Sequence, residues 1–226
     1  MAKLNCLRKG CKDVFHSFLV ENAEKNDYDG DLEIPIIKPI NAEPNRLIRF
    51  SKALKTNDFD QWVHFYEDDV NFERVWNRPR KYLPILKKFN GVITPDFSLY
   101  RDMPLVLQQY NTYRGKALGF WWQENGINVI PNIRFADSRS YDFCFLGISQ
   151  NSIIAIGSLG CLKIKEDRDF FKAGLEETVK RLRLVNKIVV YGSEPEYVFS
   201  CCYEKNISIL QFDSEISTIK NKKEEI

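Results

Sequence analysis

Short apolar runs recur along this chain, and each ends in a proline, a glycine, a carboxylate or a hydroxyl. Gly91-Val92-Ile93 gives way to Thr94-Pro95-Asp96-Phe97-Ser98, and Trp62-Val63-His64-Phe65-Tyr66 runs into Glu67-Asp68-Asp69. Residues 127–133 lead to Arg134 and Asp137, Ile153-Ile154-Ala155-Ile156 to Gly157-Ser158, and Ile188-Val189-Val190-Tyr191 to Gly192-Ser193. Runs that are apolar at nearly every position suit strands covered on both faces, as in parallel sheets. Between them lie stretches with helical spacing. Phe170, Phe171, Leu175, Val179 and Leu182 predict a helix over 168–185. A helix over 71–89 is expected to be interrupted at Pro79 and Pro84. One over 103–125 has Pro104 in its first turn, Gly126 after its end and Gly115 as a break in its middle.

With further runs at 34–37, 47–50 and 207–212, up to eight strands are predicted, at least six of them in strand–helix alternation. The expected fold is α/β with mostly parallel βα repeats, a compact and incomplete (β/α)8-barrel-like arrangement. An open doubly wound sheet is the alternative. The connection between 34–37 and 47–50 is too short for a crossover helix. Three segments result: a polar N-terminal stretch 1–31, a single α/β domain 32–212, and a charged flexible tail 213–226.

Composition narrows the setting. Lys and Arg number 33 against 31 Asp and Glu, so no global charge draws the chain to nucleic acid or acidic membranes. No apolar run approaches the ~18 residues of a membrane span, and Lys3, Arg8, Lys9, Lys12 and Asp13 interrupt any signal-peptide core. Six cysteines read as thiols in a reducing cytoplasm, the expected location. Cys6, Cys11 and His16 match no common zinc spacing, and no metal site is predicted. Asp27, Asp29 and Asp31 around Gly30 lack the glycine and glutamate positions of a calcium loop and read as a turn before the first strand.

Parallel strands would bring their C-terminal ends to one rim, where α/β proteins place their chemistry. Asp68, Asp96 and Arg134 are the predicted catalytic centre. The carboxylates could divide acid and base roles, and Arg134 could bind a phosphate through a planar, bidentate contact. Asp69, Ser98, Asp137, Ser158, Gly192 and Ser193 would surround the ligand. Gly157-Ser158-Leu159-Gly160 and Tyr191-Gly192-Ser193 would offer backbone amides at helix starts. The rim carboxylates could hold a divalent cation, and the cofactor is otherwise unidentified. The competing reading of each aspartate and serine is a helix cap, for Asp69 and Asp102 above all. P-loop, G-x-G-x-x-G, H-E-x-x-H and G-x-S-x-G signatures are absent. His64, inside a strand, reads as a packed core histidine. Arg78, Arg80 and Lys81, with Trp76 and Tyr82 interleaved, are the candidate nucleic-acid contacts.

The series 64–69, Trp76, Thr94-Pro95-Asp96-Phe97-Ser98, Trp122-Gln123, Val129-Ile130-Pro131 and Tyr191-Gly192 resembles an uncharacterised domain family of bacteria, phages and mobile elements, a domain of unknown function. The resemblance covers about 32–212 and is most specific at the Thr-Pro-Asp-Phe-Ser segment. It implies a cytoplasmic protein of phage or mobile-element type, acting on nucleotides, nucleic acid or host defence. The leading expectation is a protein that binds a small phosphorylated or nucleotide-like ligand at the rim, with hydrolytic or transfer chemistry left open. The alternatives are a non-catalytic binder of a host or phage protein that interferes with host defence, and a nucleic-acid-binding replication accessory. No membrane partner is expected.

Overall fold

The computed structural model describes residues 12–214. Cys6, Cys11 and all but the first two residues of the 213–226 tail lie outside them. The chain is α/β, with two parallel sheets. Leu47–Arg49 (β3), Trp62–His64 (β4), Gly91–Ile93 (β5) and Val129–Ile130 (β6) form the first, in that order. Ile154–Gly157 (β7), Lys187–Tyr191 (β8) and Ser208–Phe212 (β9) form the second. Strands follow chain order, without the reversal of a doubly wound sheet. A parallel bridge between Asn132 and Ala155 joins the sheets, with the Ile133 amide donating to Ala155 O and the Ala155 amide to Pro131 O, both at 2.9 Å. Among the described residues no ladder joins β3 to β9, so the sheets do not close.

The first predicted strand departs from expectation. Tyr28–Asp29 (β1) and Ile34–Pro35 (β2) form an antiparallel hairpin, turning through Gly30 at φ +63°. Pro35 has no amide to give a ladder, which confines this pair to an edge. Beyond the hairpin, Ile37 makes an isolated parallel bridge to Ile148, outside both sheets. Ahead of the hairpin, Leu19 and Val20 are buried in the same core as the helices of the first sheet.

Period-two alternation divides the core. Val63, Phe65, Val92 and Val129 point to the helical layer of Phe50–Ala53 (α1), Asp69–Asn77 (α2), Pro79–Leu86 (α3) and Leu105–Glu124 (α4). Ile154, Ile156, Ile188 and Val190 point to Lys165–Arg181 (α5) and Glu196–Glu204 (α6). The alternate residues Trp62, Tyr66, Ile93, Ile130, Ala155, Val189 and Tyr191 meet in one inner core that both sheets share. Trp122 is fully buried and stacks on Phe65 at 5.9 Å, which makes it core.

The prolines and glycines act locally. The 71–89 helix breaks at Arg78 (φ −141°, ψ 58°), Pro79 starts α3, and Pro84 is accommodated within it. Gly115 does not break α4. It and Gly119 let the helix press on the end of β5, for a Cβ on Gly119 would stand 2.6 Å from Thr94 and Ile37. Gly126, at φ +81°, follows the end of α4.

Gly91 lies beside Trp62 in the β4–β5 register, and a Cβ there would sit 2.4 Å from the indole. Gly91→Ala is expected to destabilise the fold by about 1–3 kcal/mol through overpacking of the inner core, read as a lower urea midpoint at unchanged slope.

Candidate active site at the strand rim

The C-terminal ends of β4, β5 and β6 open into a cavity of about 340 Å³. Asp68, Asp69, Asp96, Ser98 and Arg134, five of the predicted residues, line it together with Tyr66 and Tyr100. Its floor is a hydrogen-bonded chain. Asp96, its side chain 13% exposed, accepts from Asn132 Nδ2 at 2.7 Å and faces Arg134 Nη1 at 3.5 Å. Tyr66 donates its hydroxyl to Asn132 Oδ1 at 2.9 Å. The Asn132 amide donates to Thr94 Oγ1, and Lys116 Nζ donates to Asn132 O, both at 2.8 Å.

Burial raises the Asp96 carboxyl above its ordinary value, and the charge of Asp69 adds to the rise; Arg134 and the Asn132 amide pull it back. Burial also brings Lys116 down to about 7 and His64 down to about 3. His64 accepts the Tyr66 amide at Nδ1 and lies against Tyr66 and Tyr191, a neutral core histidine as its place in the strand predicts. Arg134 Nε is buried without a hydrogen-bond partner.

The remaining rim residues divide by role. Asp69 does not cap its helix: its two oxygens accept the Ser98 hydroxyl (2.8 Å) and amide (3.1 Å), tying α2 to the loop after β5. Asp68 holds the N-cap position with no side-chain bond, exposed at the cavity edge. Pro104, not Asp102, caps α4. Asp137 caps the short 3-10 turn Ser138–Asp142 and pairs with Arg139 at 2.8 Å, which holds its carboxyl below the ordinary range. Ser158 donates to Ser193 O at 2.6 Å, and Gly192 has φ +116° with Ser158 Oγ 2.5 Å from where a Cβ would be. Those three clasp β7 to β8. The expected anion cradle at helix starts is not formed, because α5 begins only at Lys165 and the Ser158 amide is taken by Tyr191 O. Among the described residues no group of three His, Cys, Asp or Glu is placed to hold a metal ion.

Arg78, Arg80 and Lys81 lie at the α2–α3 junction, away from the rim cavity. The Arg80 guanidinium stacks on Phe18 at 4.1 Å, and Trp76 and Tyr82 are buried, so the interleaved aromatics are not presented for base stacking. Sequence reasoning missed Asn132, Thr94, Tyr66 and Lys116. The available signals were a polar residue inside the 127–133 run and a lysine inside the apolar stretch 115–120.

A family model described as "Domain of unknown function (DUF4417)" matches residues 26–213. Two phage proteins, each called "Gene 1 protein", are similar. That of Mycobacterium phage D29 is 42% identical over 130 residues, 58% of this chain and 48% of the phage protein. That of Mycobacterium phage L5 is 37% identical over 164 residues, 71% of each. The chain thus spans about half the length of the D29 relative. No solved structure matches it. Among the described residues no helix is long and apolar enough to cross a membrane.

The His64 shift carries a pH signature. A depressed pKa gives stability that is complete above the unfolded value of about 6.5 and is lost as pH falls toward the folded value of about 3. Wild-type protein should lose about 2 kcal/mol at this site between pH 7 and 5, by urea titration. His64→Asn, which keeps an acceptor for the Tyr66 amide, should lose markedly less over the same interval.

Proposed function

We propose that this chain, which belongs to the DUF4417 family of domains of unknown function, binds a small phosphorylated ligand at the rim of its parallel strands. The observation that carries this reading is Arg134. Its guanidinium stands at the floor of a concave site, 26% exposed, against a nearly buried carboxylate and with one donor unused. A planar cation so fixed is suited to an anionic oxygen pair. Asp96, raised by burial and oriented by Asn132, has the environment of a general acid or base for hydrolysis or group transfer at that phosphate. Asp68, exposed at the edge, would meet ligand hydroxyls. The strand order and the shared inner core support taking the two sheets as an incomplete barrel, a fold that often holds phosphate at this rim. Phage relatives and the free thiols of Cys144, Cys161, Cys201 and Cys202 support a cytoplasmic place of action.

Arg134→Ala should weaken binding of phosphorylated ligands at least about tenfold by calorimetry, the value of one charge-assisted contact. Asp96→Asn should leave affinity within about threefold and remove any turnover. Unchanged affinity in folded Arg134→Ala protein would sink the reading.

A second observation favours a protein partner. Leu105, Val106, Leu107 and Tyr110 are all exposed on the first turns of α4, an apolar surface beside a polar rim. Val106→Asp with Leu107→Asp should abolish co-purification of a host or phage protein while leaving small-ligand binding unchanged; retention of the partner would remove this reading.

A further inference from the structure

A second and larger chamber, of about 880 Å³, lies on the other side of Arg134. It shares Tyr100, Arg134, Gly157 and Leu159 with the smaller cavity, so the two adjoin at one guanidinium. Their linings differ. Asp68, Asp69 and Asp96 line the smaller cavity; the larger combines Asp102, Asp137, Glu166 and Asp167 with the apolar side chains of Phe135 and Phe170. Phe170 is half-buried and lies outside the hydrophobic cores, so its packing there serves no core. The Arg101 guanidinium stands 4.3 Å from its ring centroid, held by Glu166 and Asp167 at 2.7 Å each. Tyr100, 54% exposed, stands where the chambers meet. Aromatic rings set among fixed polar groups, in a volume of this order, are what flat heterocycles occupy.

We propose that this chamber is a base subsite: it takes the heteroaromatic ring of a ligand whose phosphate rests on Arg134, which makes the ligand class a nucleoside phosphate. The inference rests on the phosphate reading of Arg134 and extends it. A phosphate at the shared residue, with the base toward Phe170 and Tyr100, places the sugar that joins them at the mouth of the larger chamber.

Four probes distinguish the parts by calorimetry: inorganic phosphate, ribose 5-phosphate, adenosine monophosphate and cytidine monophosphate. At least one of the nucleotides should bind about tenfold or more tightly than ribose 5-phosphate, the value of one stacked base. Phe170→Ala should erase most of that advantage while leaving ribose 5-phosphate within about twofold. Nucleotides no tighter than ribose 5-phosphate, or an advantage that survives Phe170→Ala, would overturn the base subsite and leave the phosphate reading standing. Failure of all four probes on wild-type protein would overturn both.

Discussion

Asn132 stands at the seam between the two sheets, and all four of its polar atoms are engaged. Its backbone forms the bridge region that links β6 to β7, its amide donates to Thr94, and its carbonyl accepts from Lys116. Its side chain holds Tyr66 on one side and Asp96 on the other. Leaving any of these buried groups unpaired would cost about 1–3 kcal/mol, so the residue fixes sheet and site together. Among the described residues one bridge joins the two sheets, beside the non-directional contact of their shared inner core, and Asn132 stands at it.

The site built on this joint is mixed in charge by construction. Asp96 is driven toward its neutral form by burial and toward its charged form by Arg134 and Asn132. Asp69 is committed to Ser98, and Asp137 to Arg139. Of the rim carboxylates, Asp68 is thus the exposed one and Asp96 the tuned one. The glycines of α4 serve the same end, since the approach of Gly119 to Thr94 brings the Lys116 ammonium under Asn132.

Much of this is legible in the amino-acid sequence. The apolar runs are strands, their ends do share a rim, and Asp96 and Arg134 do meet there. Legibility came from the simplest regularity, a short apolar run ending in polar residues. Ile34–Pro35 misled because its apolar pattern is the same whether the partner strand runs parallel or antiparallel. Gly115 misled because a glycine in a helix can either break it or admit a neighbour, and only the neighbour decides. Ser158, Gly192 and Ser193 have the composition of an anion cradle, yet the Ser158 hydroxyl donates to Ser193 O and the Ser158 and Gly192 amides donate to Tyr191 O and Phe212 O, partners that spacing does not reveal. Asn132 was hidden because a polar residue in an apolar run becomes meaningful only once its partners, 16 to 66 positions away, are known.

The 3.5 Å pairing of Asp96 with Arg134 ties two equilibria together. The guanidinium is the main influence that keeps the buried carboxyl from a higher pKa. An anion that engages Arg134 spends the same positive charge, and the carboxyl then binds its proton more tightly. Anion uptake, were it to occur at Arg134, would be linked to proton uptake at Asp96. Release of the anion would in turn expel the proton, so the rim would couple cargo to acidity without any change of fold.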